Sequence, residues 1–420
     1  MGHSPLLLQL VIILATARVL GLVLRYFGQS SVIGEMAAGI VLGPVVFGAV
    51  APELHAHVFE KGSIGVLGSL SQLGLVLFMF IVGAELRLPT GARKQIADAS
   101  WIGVLSVLVP MALGLLIAVP LHDQLAPAGV TFWPFALFMA AAMSITAFPV
   151  MARILKDREM TQTTIGRLSL TSAAIADVLA WVLLALVVVL AGSGHDWVQF
   201  SYTVSGLAAL CLVLFLGVRP LLARLIARHA SNGRPSGPLL AVLLIGTFGC
   251  AYLTDILQVH AVFGAFLFGA CLPRDDRLLA TLIERIEYVA ILVLMPVFFA
   301  LAGLNTTPGA FGGAGLGALL LILAVAVVGK IAGGAAGARI AGQPWSVSFA
   351  VSSLLNARGL MELIVIKVGL DVGVIGKDLF TMLMVMAIVT TLMTGPLLTL
   401  CAGRKALPAL HENHRSPPFR

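Results

Sequence analysis

The chain has 420 residues, of which 59% are hydrophobic and only 11% are charged. Soluble globular domains carry about 25% charged residues, so a water-facing surface cannot be assembled from this composition. The mean hydropathy of +1.04 therefore excludes a soluble fold, and the net charge of +7 fits basic cytoplasmic loops better than a nucleic-acid-binding surface. We predict an all-α polytopic membrane protein with no nucleic-acid partner.

Thirteen apolar stretches approach the length of a membrane-spanning helix, which needs about 20 residues. The predicted spans are 6–26, 33–50, 64–86, 98–120, 132–154, 165–191, 199–222, 238–254, 258–273, 286–303, 312–338, 346–369 and 379–402. The stretch at 258–273 is short, and a re-entrant segment there would lower the count. The loops are too short for a soluble domain, so we expect a single transmembrane domain over 1–402 and a short cytoplasmic tail over 403–420.

The basic residues indicate how these spans are oriented. With the N-terminus outside, 20 of the 26 lysines and arginines fall in inner segments and only 2 in outer segments. Cytoplasmic loops of membrane proteins are enriched in Lys and Arg. We therefore predict a multi-pass protein of a bacterial inner membrane, with its N-terminus outside and its C-terminus in the cytoplasm.

A cue for a helix break lies in the middle of the fifth span. Pro149 follows Ser144 and Thr146, and proline removes a backbone donor and clashes with the preceding turn. The freed carbonyl oxygens and the two hydroxyls would be suitable ligands for a dehydrated Na⁺ or K⁺. We predict Pro149 as a helix break and Ser144 and Thr146 as ion-binding residues.

Asp177 lies near the middle of the sixth span, among small residues that allow close helix packing. A carboxylate in the hydrocarbon core is costly unless a proton, a cation or a basic partner offsets its charge. Competition between a proton and a small cation for one carboxylate is the minimum chemistry of a proton-coupled cation exchanger. We predict Asp177 as the ion- and proton-binding residue, with a structural carboxylate paired to a base as the alternative.

Four of the 26 basic residues fall within the spans, and Lys330 in the eleventh is flanked by Gly329, Gly333 and Gly334. A buried lysine has to find a carboxylate or carbonyl groups, or lose its charge. Two roles remain open for Lys330. It either braces the end dipoles of a broken helix or takes part directly in ion coupling.

The twelfth span carries Asn356, Arg358, Gly359 and Glu362, a cluster that also favours an interrupted helix, with Gly359 at the break. Arg358 and Glu362 are spaced i, i+4, which allows a local ion pair. The fifth and twelfth spans are seven spans apart, and an odd offset inverts their topology. Paired broken helices in inverted halves point to the substrate site of a transporter. We therefore predict inverted repeats with two discontinuous helices and a core in which Lys330, Asn356, Arg358 and Glu362 carry structural charges or hydrogen bonds.

Several stretches together resemble the monovalent cation:proton antiporters of the second branch. That branch contains bacterial sodium/proton antiporters, glutathione-gated potassium efflux systems and plant cation/proton exchangers. The resemblance covers roughly residues 6–402, and its motifs lie in the family order at 32–44, 146–155, 263–269, 294–299, 329–331 and 356–363.

This resemblance implies a homodimer in which scaffold helices flank a mobile core around 132–191 and 312–402, and in this core the two discontinuous helices are crossed. It implies an elevator-like movement that carries the ion. Asp177 aligns with the ion- and proton-binding aspartate of the family, and Lys330 aligns with its buried lysine. Ser144 and Thr146 align with the unwound helix beside that site.

The sequence departs from the family at Ala176, where Asp or Asn usually precedes the binding aspartate. An aspartate there would pair with Lys330, and two charges could then be exchanged against one cation. With alanine, Lys330 either forms a salt bridge with Asp177 or only braces helix ends. Our hypothesis is electroneutral exchange, with one proton moved per cation.

The leading prediction is Na⁺/H⁺ or K⁺/H⁺ antiport across the lipid bilayer, with Asp177 as the binding residue. A sodium-coupled carrier of organic solutes with a similar inverted fold is the alternative, and a channel or non-transporting scaffold is a third class. No motif indicates an enzyme, a cofactor or a bound metal other than the transported cation.

Overall fold

The computed structural model describes residues 5–85, 93–161, 163–192, 197–229, 236–257, 260–273, 276–282, 285–286 and 289–402. All regular secondary structure in these ranges is helical. The predicted tail at 403–420 lies outside the described residues.

Nineteen α-helices lie within the described residues. In chain order they are α1 (Pro5–Tyr26), α2 (Ser31–Leu42), α3 (Phe47–Val50), α4 (Pro52–Val58), α5 (Lys61–Glu85), α6 (Arg93–Leu125), α7 (Phe132–Ser144), α8 (Phe148–Asp157), α9 (Thr164–Gly192), α10 (Trp197–Leu212), α11 (Arg219–His229), α12 (Gly237–Ile256), α13 (Ala261–Cys271), α14 (Asp276–Leu282), α15 (Met295–Leu304), α16 (Gly313–Ile340), α17 (Trp345–Leu355), α18 (Leu360–Asp371) and α19 (Lys377–Ala402). A π-helical segment at Val213–Val218 joins α10 to α11, and another at Ala290–Leu294 leads into α15.

Eight helical stretches of the described residues are long and apolar enough to cross a bilayer. Shorter apolar helices accompany them, among them α7, α13 and α17. The prediction of an all-helical polytopic membrane protein is therefore confirmed. Every predicted span overlaps a helix, but α13 has only 11 residues and spans about 16 Å, so the count of thirteen crossings stays a prediction.

Both predicted helix interruptions are present. The fifth span divides into α7 and α8, and Ile145 between them has extended backbone. The twelfth span divides into α17 and α18, separated by residues 356–359. Pro149 is the second residue of α8, so the break lies upstream of it. In an uninterrupted helix the proline ring would clash with the carbonyl of Ile145, and that is where the helix stops.

The helices that surround these breaks pack against one another. α6 packs against α16, α7 and α9, and α16 also packs against α17. In most proteins the largest fully buried side chains are apolar, yet here Arg358 and Lys330 are among them, each with an exposed fraction of 0%. The interior of this bundle therefore contains two buried basic side chains, and the two broken helices supply most of the oxygens that accept hydrogen bonds from them.

We expect Pro149→Ala to change the free energy of unfolding by less than about 1 kcal/mol, because proline in the first helical turn sacrifices no hydrogen bond. An SDS titration of the purified protein would measure the change. A loss of unfolding free energy several times larger would mean that the interruption between α7 and α8 depends on this proline rather than on the side chains around the break.

Candidate functional site

The C-terminal end of α7 lies inside the protein, so its last four carbonyls at 141–144 have no helical donor. Water satisfies such groups at a protein surface, but it is absent from a hydrocarbon core. Here Ser144 Oγ turns back and donates to the carbonyl of Ala141 at 2.8 Å. The ammonium of Lys330, from α16, donates to the carbonyl of Ser144.

Arg358 satisfies the two remaining carbonyls of α7. Its Nη1 donates to the carbonyl of Ala142 at 2.7 Å, and its Nη2 donates to that of Met143 at 2.7 Å. Nη1 also donates to Glu362 Oε2 at 2.6 Å, and both side chains of this ion pair are fully buried. The pair that the i, i+4 spacing allowed is therefore formed. All four carbonyls at the end of α7 thus accept a hydrogen bond from a side chain, and two basic residues face the negative end of the helix dipole.

Lys330 is held by three oxygens. Besides the Ser144 carbonyl, its Nζ donates to the Ser106 carbonyl at 3.1 Å and to Thr146 Oγ1 at 2.7 Å. An ammonium has three protons, so these acceptors use all of them. The described residues contain no Lys330–Asp177 ion pair, although the two groups interact electrostatically. This geometry matches the bracing role of Lys330 and not a direct salt bridge.

The two breaks contact each other through the backbone. The amide of Ala147, in the first break, donates to the carbonyl of Ala357, in the second, at 3.0 Å. A Cβ at Gly359 would lie 2.6 Å from Val150 Cγ2, so a larger residue there would have to displace this side chain of α8. The discontinuous helices therefore meet where each lacks helical hydrogen bonds, as the crossed arrangement requires.

α19 supports the second break. Thr391 Oγ1 accepts from the backbone amide of Arg358 at 2.9 Å and lies 2.6 Å from the Arg358 carbonyl. Asn356 Nδ2 donates to the carbonyl of Thr390 at 3.1 Å. These α19 partners were not predicted from the sequence. The signal that could have found them is the adjacent pair of threonines at 390 and 391 within a largely apolar span.

Asp177 lies on α9 with an exposed fraction of 4%, next to the buried Ala176. In contrast to Glu362, it makes no hydrogen bond or ion pair with another described residue. The site thus contains one carboxylate committed to an arginine and one carboxylate whose charge no direct contact offsets. Of the predicted residues, Ser144 and Thr146 both accept a hydrogen bond from Lys330, whereas Arg358 and Glu362 form a separate ion pair.

A family model described as "Sodium/hydrogen exchanger, transmembrane" matches residues 11–401. The Na(+)/H(+) antiporter NhaS4 of Synechocystis is 36% identical over 394 residues, which is 93% of this chain and 96% of that protein.

Two eukaryotic relatives are longer. Cation/H(+) antiporter 17 of Arabidopsis thaliana is 36% identical over 94% of this chain and 49% of its own length. K(+)/H(+) antiporter 1 of Saccharomyces cerevisiae is 33% identical over 94% of this chain and 46% of its own length. The chain therefore spans about half the length of these two proteins.

A solved structure also resembles the chain. It is the sodium proton antiporter MjNhaP1 from Methanocaldococcus jannaschii at pH 8, with a TM-score of 0.64 over 95% of this chain and 99% of that chain. At 13% sequence identity, this similarity shows the fold alone.

We expect Arg358→Ala to lower the free energy of unfolding by about 3–5 kcal/mol. The substitution leaves the carboxylate of Glu362 and two helix-end carbonyls buried without a donor. An SDS titration of the purified variant would measure the loss.

Lys367 provides the matched control, because it forms another i, i+4 pair on α18, with Asp371, in which the side chains are 20% and 46% exposed. Lys367→Ala should cost no more than about 1 kcal/mol, since exposed ion pairs contribute little. Equal losses in the two variants would contradict the assignment of Arg358 to the helix end.

Proposed function

Since the chain belongs to the sodium/hydrogen exchanger family and is therefore a cation/proton antiporter, we propose that it exchanges Na⁺ or K⁺ for H⁺ at Asp177. The observation that supports this site is that Asp177 is a buried carboxylate with no direct partner among the described residues. A proton or a monovalent cation offsets its charge equally well. Because one carboxylate cannot hold both at full strength, binding of either ion favours release of the other.

Ser144 and Thr146 are the neutral ligands that we assign to the cation. Ser144 Oγ uses its proton on the Ala141 carbonyl, so its lone pairs remain as acceptors. Thr146 Oγ1 accepts one hydrogen bond from Lys330 and keeps a second lone pair. The carbonyls at 141–144 are less suitable ligands than the sequence indicated, because side-chain donors already occupy them.

The charges around the site favour electroneutral exchange. Glu362 is committed to Arg358, and Lys330 uses all three of its protons on oxygen acceptors. Ala176 offers no second carboxylate. Only Asp177 then alternates between a proton and a cation, so one H⁺ moves for each cation and the cycle carries no net charge.

Elevator-like movement and a homodimer complete the proposal. The hydrogen bond between Ala147 and Ala357 ties the two breaks together, which supports their movement as one body. We propose a bacterial inner membrane as the location of the protein, with the N-terminus outside and the C-terminus inside, which is the orientation that the charge bias in the loops favours. A sodium-coupled organic solute carrier is disfavoured, because the family match is to exchangers.

We expect Asp177→Asn to abolish exchange. The asparagine side chain has the same size but is neutral, so it neither takes up a proton nor attracts a cation. The assay is cation-evoked dissipation of a preset pH gradient in proteoliposomes, with Na⁺, K⁺ and Li⁺ tested separately.

Asp255→Asn is the control, because Asp255 is an exposed carboxylate near the end of α12. It should exchange ions at the wild-type rate. Exchange by Asp177→Asn at that same rate would rule out the proposed site.

We expect the initial exchange rate to be independent of an imposed membrane potential. One uncompensated charge crossing the membrane experiences about 2.3 kcal/mol per 100 mV, which would change the rate many-fold. Clamping the potential of Na⁺-loaded proteoliposomes at two values measures this directly. A clear dependence on potential would contradict one-to-one exchange.

A further inference from the structure

Pro110 lies inside α6 and is buried. In an α-helix the amide of residue 110 would donate to the carbonyl of residue 106. Proline has no amide proton, so Pro110 leaves the Ser106 carbonyl without its helical donor. That carbonyl is one of the three oxygens that hold Lys330, at 3.1 Å from its Nζ. A hydrogen bond lost within α6 is thus replaced by one from α16.

α16 lies directly against this proline. A Cβ built on Gly329 would lie 3.0 Å from both Cα and Cβ of Pro110. Gly329 therefore allows the two backbones to approach closely, and the next residue is Lys330. Proline and glycine together position the lysine at the level of the freed carbonyl.

The same relation occurs at a second place in the described residues. Pro396 lies inside α19, and its missing amide would have paired with the carbonyl of Leu392. Gln29 Nε2 donates to this carbonyl at 3.4 Å. At both places, a proline leaves a helix carbonyl without its helical donor. A side chain that is distant in the sequence donates to that carbonyl instead.

We propose that Pro110 is a positioning residue of the exchange site. It keeps the Ser106 carbonyl available as the third acceptor of Lys330 and thereby keeps the ammonium away from the Asp177 carboxylate. The effect of Pro110 on exchange rests on the proposed function at Asp177, whereas its effect on how Lys330 is held does not.

Three charged groups interact with Lys330 electrostatically: Arg358 and Glu362 at the second break, and Asp177 on α9. The charge of Glu362 is already offset by Arg358, whereas Asp177 has no ion-pair partner among the described residues. Asp177 is therefore the carboxylate that we expect an uncommitted Lys330 proton to approach. Pro110→Ala restores an amide that competes for the Ser106 carbonyl. Lys330 then turns toward Asp177 and competes with the transported cation.

A double-mutant cycle tests how Lys330 is held, without reference to transport. It compares the wild type, Pro110→Ala, Lys330→Met and the double variant by thermal unfolding of the purified proteins. Lys330→Met leaves the Ser106 carbonyl buried without a donor, and the backbone amide that Pro110→Ala restores would satisfy it. We therefore expect Pro110→Ala to raise the melting temperature of Lys330→Met by roughly 2 °C or more, and to give no such rise in the wild type.

Pro120 is the matched control, because it lies in the same helix and is exposed. Pro120→Ala should shift the melting temperature equally in the wild type and in Lys330→Met. Equal shifts for Pro110→Ala in the two backgrounds would overturn the proposal, because they would show a kink that acts independently of the lysine.

Exchange kinetics provide the second test, and they require only variants that keep Lys330. We expect Pro110→Ala to raise the apparent KM for the transported cation about fivefold, the effect of one hydrogen bond, with kcat near the wild-type value. Pro120→Ala should leave both constants unchanged. A lower kcat at unchanged KM, or wild-type kinetics for Pro110→Ala, would overturn the role in exchange. A wild-type protein without exchange would instead refute the proposed function and leave the unfolding cycle to decide how Lys330 is held.

Discussion

The central constraint on this structure is that a helix ends inside a membrane protein. The four carbonyls at 141–144 cannot be hydrated there, and each unsatisfied polar group in hydrocarbon costs several kcal/mol. The chain meets this constraint with Ser144, Lys330 and Arg358, whose donors cover all four oxygens. The positions of α6, α16 and the second break follow from this requirement, because each must bring or support a donor at the end of α7.

This requirement also separates two kinds of charge in the interior. Arg358, Glu362 and Lys330 are fixed by hydrogen bonds, so their charges are part of the scaffold. Asp177 has no such partner among the described residues, and of these fixed charges it interacts with that of Lys330. In the proposed exchange, the scaffold charges stay constant while only the occupant of Asp177 changes. Because residue 176 is alanine, no second carboxylate lies next to Asp177 in the sequence.

Local signals made much of this architecture predictable from the sequence. Pro149 and the Asn356–Gly359 cluster indicated both breaks, and i, i+4 spacing indicated the Arg358–Glu362 pair. What the sequence could not provide were the partners that come from distant helices. The acceptors of Lys330 lie 184 to 224 residues away, and no local pattern identifies which carbonyl a lysine will find. The sequence also suggested free carbonyls for the cation, whereas the folded chain has already used them.

The distances along the chain have a consequence for biosynthesis. The donors for Ala142, Met143 and Ser144 are 216, 215 and 186 residues downstream of their acceptors. At a synthesis rate of about 5–20 residues per second, α7 is synthesised roughly 10–40 s before the residues that donate to its last three carbonyls. During that interval the nascent segment cannot hold its final interrupted shape in lipid. The end of α7 must therefore stay shielded from lipid until the second half of the chain supplies its hydrogen-bond donors.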